Sequence, residues 1–318
     1  MRRVTLSLFA VFSLFLIGCS DDDGTETDLG RSRDPSSSII SLKAEVQSST
    51  EVKAGPINSS FSTDFPIGIY AYKSAWLAGS VNVINNDSAT VAGAAGHNIT
   101  FAHGPYYYPA DGTTLNFFAF SPQAAESTAA GAGTSPVVTH TITGQEDVMW
   151  TSSTGSKVGS APATAPVLNF AHKLTQLQFT FQSDTTYPAS GNSVTSLTVN
   201  AQPNTVLMNV ETGVCTFSGS MAMQALSTAN QSSGIGITTA GANANSPVMT
   251  NAGTSYSLTI IVKPAGSPAV TYTNVPVTLT TTAGSAHMIT LKFTETAVTA
   301  TATVAAWVTG TGGNVTVL

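Results

Sequence analysis

Apolar residues in this chain recur at every second position in short runs, and turn-forming residues end each run within a few positions. Ile40, Leu42, Ala44 and Val46 alternate with Ser41, Lys43 and Glu45. That is the period-two pattern of a half-buried strand. Further β-branched and aromatic runs at 67–72, 115–120, 174–181, 196–200, 256–263 and 275–280 are separated by clusters of Gly, Pro, Asn, Ser and Thr. No amphipathic helix of three turns or more can be read between them. Many short strands with frequent turn signals predict an all-β chain built of two tandem β-sandwich domains. A length of 318 residues suits two such units. The polar stretch 183–192 marks the expected boundary, dividing a sandwich at 54–190 from one at 191–318. The Ala-, Ser-, Gly- and Asn-rich segments 124–135 and 225–245 read as long surface loops.

Charge narrows the partners. Charged residues make up 9% of the chain, against about 25% in an average soluble protein. Hydrophobic residues reach 42%, enough for sizeable cores. The net charge is −6, and the arginines are confined to Arg2, Arg3, Arg31 and Arg33. Nucleic acid is excluded as a partner, because neutralising phosphates requires clustered Lys and Arg. The same composition weighs against a cytosolic enzyme.

The first residues read as an address. Arg2 and Arg3 precede an apolar run over 4–17, too short to span a bilayer as a helix. Residues 1–18 therefore read as a secretory signal peptide. Leu16-Ile17-Gly18-Cys19 resembles a bacterial lipobox, which implies that Cys19 carries acyl chains such as palmitate. Ser20-Asp21-Asp22-Asp23 resembles the acidic tag that places lipoproteins on the outer face of the outer membrane in certain Gram-negative anaerobes. Residues 19–53 are then a lipidated tether leading into the alternating strand at 40–46. With Cys19 committed to lipid, Cys215 has no disulfide partner, and it reads as a small core residue.

A search for chemistry returns little. There is no H-E-x-x-H, no G-x-S-x-G elbow, no P-loop and no G-x-G-x-x-G. His97, His103, His140, His172 and His287 are dispersed without ligand spacing, so no metal or other cofactor is expected. Glu146-Asp147 is the one adjacent carboxylate pair after Lys53, and strand neighbours point to opposite faces. The chain reads as a non-enzyme. His172, flanked at period two by Phe170 and Leu174, reads as a hydrogen-bonded core histidine.

Several motifs fall in a characteristic order. Phe65-Pro66-Ile67-Gly68-Ile69-Tyr70-Ala71-Tyr72 comes first, then Tyr106-Tyr107-Tyr108-Pro109-Ala110-Asp111-Gly112 and Asn116-Phe117-Phe118-Ala119-Phe120-Ser121-Pro122. Asp147-Val148-Met149-Trp150, Phe170-Ala171-His172-Lys173-Leu174, Gly253-Thr254-Ser255-Tyr256-Ser257-Leu258 and Trp307 follow. Together they resemble the fimbrillin family, the type V pilins of Gram-negative anaerobes.

That resemblance implies two transthyretin-like sandwiches and a fimbrial subunit that supports adhesion. In the family, a first strand fills a groove in its own sandwich until a trypsin-like protease cuts behind it. A strand from another subunit then fills the groove, giving homo- or hetero-polymers with other pilins. Carried onto this chain, the groove-filling residues are Ile40, Leu42, Ala44 and Val46, and the cut falls at Lys53-Ala54. Lys53 stands where the family has Arg, so a strictly Arg-specific protease would pass it by. Arg31 and Arg33 precede the strand, and a cut there would leave it in place. The donor would come from the C-terminus: Val298, Ala300, Ala302, Val304 and Val308 on one alternating face, and Val315 and Val317 in a last short strand. The alternating segment also has the pattern of a strand that completes the second sandwich. A second function stands beside the first: a tip adhesin or non-polymerising glycan-binding surface lipoprotein, with Tyr106-Tyr107-Tyr108 as a sugar platform for a host or bacterial ligand.

Overall fold

The computed structural model describes residues 38–47, 57–74, 76, 82–157, 165–185, 187, 191–226, 233–244, 246–294 and 298–305. Alternating sequence becomes alternating burial. The 167–172 run VLNFAH buries Leu168, Phe170 and His172 and turns Val167 and Asn169 outward. The 255–263 run buries Tyr256, Leu258, Ile260 and Val262 in the same way.

All regular elements among the described residues are strands. The first half of the chain holds β1 (Lys43–Val46), β2 (Phe65–Tyr72), β3 (Ile84–Val91), β4 (Ile99–Phe101) and β5 (Leu115–Ser121). It continues with β6 (Glu126–Thr128), β7 (Val137–Thr141), β8 (Met149–Gly155), β9 (Val167–His172) and β10 (Thr175–Ser183). The second half holds β11 (Ser193–Gln202), β12 (Thr205–Asn209), β13 (Cys215–Ser218), β14 (Met221–Leu226), β15 (Ile235–Gly236) and β16 (Ala242–Asn243). It ends with β17 (Val248–Thr250), β18 (Ser255–Lys263), β19 (Val270–Thr278), β20 (Ala286–Phe293) and β21 (Val298–Ala305).

Seven strands form one sheet in the order β1-β9-β8-β5-β2-β3-β4. Its ends meet, because Lys43 of β1 bridges Asn98 at the head of β4. Ile67, Ile69, Ala71, Leu115, Phe117 and Ala119 form the core on the inner face of this curled sheet. The alternate residues Tyr70, Tyr72, Phe118 and Phe120 belong to a second core on its other face. Both faces are covered, which is why 67–72 and 115–120 are nearly continuous apolar runs rather than alternating ones.

The second core continues beneath a four-stranded sheet, β13-β12-β7-β6, and into a sandwich. There β16-β10-β20-β21 faces β14-β11-β18-β19, with β17 also on β10 and β15 also on β11. Trp150 on β8 ties the two halves: its indole N–H donates to the Val210 carbonyl at 2.7 Å. Gly213 lies against that ring at φ 65°, and a Cβ there would sit 2.4 Å from it, so both backbone and space demand glycine.

Two sequence expectations need correction. Strand pairing crosses the expected 190/191 boundary from both sides, with β10 pairing β16, β17 and β20 and β12 pairing β7. β10, counted with the 54–190 sandwich, runs parallel to β20 from Gln176↔Ala286 to Ser183↔Phe293. β12, counted with 191–318, pairs with β7 from Thr205↔Thr141 to Asn209↔Val137. A polar stretch shows where the chain turns, whereas sheet membership depends on which edge lies open in space. The presumed loops also contribute structure: β6 lies within 124–135, and Ala225, Leu226, Ile235 and Ile237 within 225–245 are buried.

His140 on β7 gives the fold an acid-sensitive point. It is 5% exposed, its ring meets Phe120 edge-on at 5.8 Å, and its Nε2 has no hydrogen-bond partner. Burial pushes its pKa from 6.5 down to about 4. Between those values the unfolded chain binds the proton and the folded chain refuses it. The stability this residue supports is therefore full above pH 6.5 and is lost as pH falls toward 4. Going from pH 7 to pH 5 should cost about 2 kcal/mol at this residue. His140→Leu should lose correspondingly less stability over that interval, measured by urea unfolding at the two pH values.

Candidate functional site

The segment 38–47 is bound on both flanks. On one flank it makes the parallel ladder with β9, from Lys43↔Val167 to Val46↔Phe170. The Lys43 N–H donates to the Pro166 carbonyl at 3.0 Å and the Gln47 N–H to the Phe170 carbonyl at 2.9 Å. On the other flank the Ile40 N–H donates to Tyr106 at 2.8 Å and the Ala44 N–H to His97 at 2.9 Å. The Leu42 carbonyl accepts from Ile99 at 3.0 Å, and the Ser38 carbonyl accepts from Tyr108 at 3.0 Å. Successive N–H groups thus alternate between flanks, as in an interior strand.

Side chains alternate as well. Ile40, Leu42, Ala44 and Val46 are 3%, 1%, 1% and 5% exposed, while Ser41, Lys43, Glu45 and Gln47 face solvent. The four buried residues share a core with Phe65, Ile99, Tyr108, Phe117, Leu168 and Phe170. Each Ile, Leu or Val buried this way contributes about 1.5–3 kcal/mol. The segment is a plug: fully ordered by its neighbours, and connected to the rest of the chain through residues 48–56.

A buried hydrogen-bonded couple sits where the plug ends. His172 Nδ1 lies 2.9 Å from Asp147 Oδ1, with both side chains nearly inaccessible. His172 Nε2 lies 3.3 Å from the Gln47 carbonyl, and Asp147 Oδ2 accepts from the Ile57 N–H at 3.1 Å. His172 is thus the hydrogen-bonded core histidine its pattern predicts. Its partner Asp147 escaped the sequence reading, because a carboxylate 25 residues away on another segment carries no local signal.

Other candidate groups are structural. Glu146 accepts from the Thr143 backbone and hydroxyl, which holds its carboxyl below the ordinary value despite burial. Cys215 is half-buried, and burial pushes its thiol up to about 11, with Lys173 pulling the other way. At neutral pH it is a thiol, not a thiolate. Among the described residues no group of three His, Cys, Asp or Glu could hold a metal ion. No helix among them is long and apolar enough to cross a membrane. In the aromatic run 106–108, Tyr108 is 1% exposed, whereas Tyr106, which meets Phe101 edge-on at 5.2 Å, and Tyr107 are half-buried.

Of the expected donor residues, Val298, Ala300, Ala302 and Val304 lie in β21 and pair with this chain's own β20, from Phe293↔Val298 to Ala286↔Ala305. They complete the second sandwich, as an antiparallel neighbour close in sequence readily does. β21 is the end strand of its sheet. Cys19, Lys53, Ala54, Val308, Val315 and Val317 lie outside the described residues.

A fimbrillin-like family model matches residues 52–307. The chain belongs to the fimbrillin-like family. It is accordingly a fimbrial or adhesin-like protein of the cell surface. Solved structures share the fold. A candidate cell adhesion protein from Bacteroides uniformis is 22% identical, with TM-score 0.57, covering 85% of this chain and 99% of that one. A second, from Bacteroides ovatus, is 15% identical, with TM-score 0.55, covering 86% and 99%. A fimbrial protein from Bacteroides vulgatus is 13% identical, with TM-score 0.51, covering 84% and 99%. No curated protein matches the chain.

The plug's pattern is directly testable in this fimbrillin-like protein. Leu42→Ala should lower stability by about 3 kcal/mol through the cavity it leaves. Lys43→Ser, one residue along and facing solvent, should change it by less than about 0.5 kcal/mol. Urea unfolding of the two variants makes the comparison.

Proposed function

We propose that this chain is a structural subunit of a cell-surface fimbria, exported as a lipoprotein through Cys19, matured by proteolysis at Lys53-Ala54 and polymerised by donor-strand exchange. One observation carries the reading. The strand that precedes the cut is a central element of its sheet, yet it is joined to the body by residues 48–56 alone. Cutting within that connection leaves the strand held by non-covalent contacts. Its removal would expose an apolar slot with unpaired backbone on both flanks, the edges of β9 and β4. Exposed apolar area and open edges favour addition of a strand from another chain.

The incoming strand would come from the C-terminal segment of a second subunit. Val308, Val315 and Val317 supply apolar side chains at alternate positions, as the slot requires. If the donor extends back into β21, its residues Val298, Ala300, Ala302 and Val304 give up one ladder, with β20, and gain two. The partners are therefore other pilins. The lipid holds the precursor at the outer membrane until a trypsin-like protease releases it.

Lys53→Ala should give a folded, lipidated protein that forms no ladder on unheated denaturing gels, whereas the unaltered protein forms one with an N-terminus at Ala54. Ladder formation by Lys53→Ala in a protease-competent host would refute the cut site. Deleting residues 309–318 should yield subunits that accept a donor but offer none, so that assemblies stop at single additions. Fibres of ordinary length from that deletion would place the donor elsewhere.

A further inference from the structure

We propose that the buried Asp147–His172 couple is the end pin of the slot: His172 Nε2 takes a backbone carbonyl of the strand that occupies it, while Asp147 separately anchors the chain that follows residue 56. This inference rests on the removable-strand reading above.

The geometry supplies both halves. Asp147 Oδ1 and the Gln47 carbonyl are both acceptors, 2.9 Å and 3.3 Å from opposite nitrogens of one ring. Asp147 Oδ2 accepts from Ile57 at 3.1 Å. The last residue of the plug and the first described residue of the body are thus tied to the same couple through different atoms. When the plug leaves, the Gln47 contact breaks while the Ile57 contact stays.

Register follows from strand geometry. Burial along 40–46 is strictly alternate, so a slip of one residue turns every apolar side chain outward. The same slip carries the Gln47 carbonyl away from Nε2. A slip of two keeps the buried face and also brings another backbone carbonyl opposite Nε2, so that choice is left to the fit of Ile40, Leu42, Ala44 and Val46 in the core. The hydrogen bond therefore holds the end of whichever strand is seated, and the side chains set its register.

The test uses the full chain with Cys19→Ser, which keeps it free of lipid, and a site-specific protease sequence in place of residues 50–55. After cutting, excess labelled peptide with the sequence of residues 38–47 is added, and replacement of the resident segment is followed by mass spectrometry. His172→Phe should speed replacement by about 10-fold, the rate equivalent of one lost hydrogen bond. Ile57→Pro, which removes the N–H donated to Asp147, should leave replacement within about twofold of Ile57→Ala, which removes the same packing side chain but keeps the N–H. Leu258→Ala in the distant sandwich core serves as the control for general destabilisation and should likewise change it little. Equal rates in wild type and His172→Phe overturn the pin, as does equal acceleration by Leu258→Ala. A segment that stays seated on every protein, variants included, sinks the removable-strand reading and the pin with it.

Discussion

The two edges of the six strands β9-β8-β5-β2-β3-β4 come close enough to be bridged by a single extended segment, and that segment is β1. Without it, β9 and the head of β4 would present unpaired backbone toward a core that already contains Phe65, Phe117 and Phe170. With it, the N–H groups of Lys43 and Gln47 are satisfied on the β9 side and those of Ile40 and Ala44 on the other. A parallel neighbour cannot be reached by a tight hairpin, so β1 and β9 must be far apart in the chain. The bridging strand accordingly comes from a part of the chain far before β9, with β2 to β8 lying between them.

The rest of the architecture braces that slot from outside. The outer face of the same sheet carries Tyr70, Tyr72, Phe118 and Phe120 into a second core continuous with the C-terminal sandwich. Tyr72 and Phe118 stack with ring centres 5.4 Å apart, and Trp150 hydrogen-bonds across to Val210. Sheets held on one face by such packing do not depend on the plug alone for their shape. Such bracing is what a slot must have if one occupant is to be exchanged for another. It also explains the chain's chemistry-poor sequence, in which carboxylates such as Glu146 and Asp147 and the histidine His172 are spent on backbone groups and on one another.

Much of this was legible beforehand. The alternation of Ile40, Leu42, Ala44 and Val46 states which side chains are buried, and they are. The central position of His172 between Phe170 and Leu174 states that it needs a partner. What could not be read was the identity of partners. Asp147 for His172, β20 for β10 and β7 for β12 are each chosen by where chain segments meet in space, at separations of dozens of residues. The Ala-, Ser- and Gly-rich stretch at 225–245 misled for a related reason. Its small residues carry little pattern, and the burial of Ile235 and Ile237 depends on β11, to which β15 is paired.

By itself the sequence determined the strand content and the facing of side chains within strands such as 40–46, 167–172 and 255–263. These follow from local chemistry: side chains alternate across an extended backbone, and Gly and Pro interrupt it. Only the tertiary structure decided that the first strand lies in the middle of a sheet, that four expected donor residues are seated in β21, and that Asp147 and His172 meet at the strand's end. Hydrogen bonding between strands is blind to sequence distance, so the identity of each neighbour is fixed by the closing of sheets around their cores.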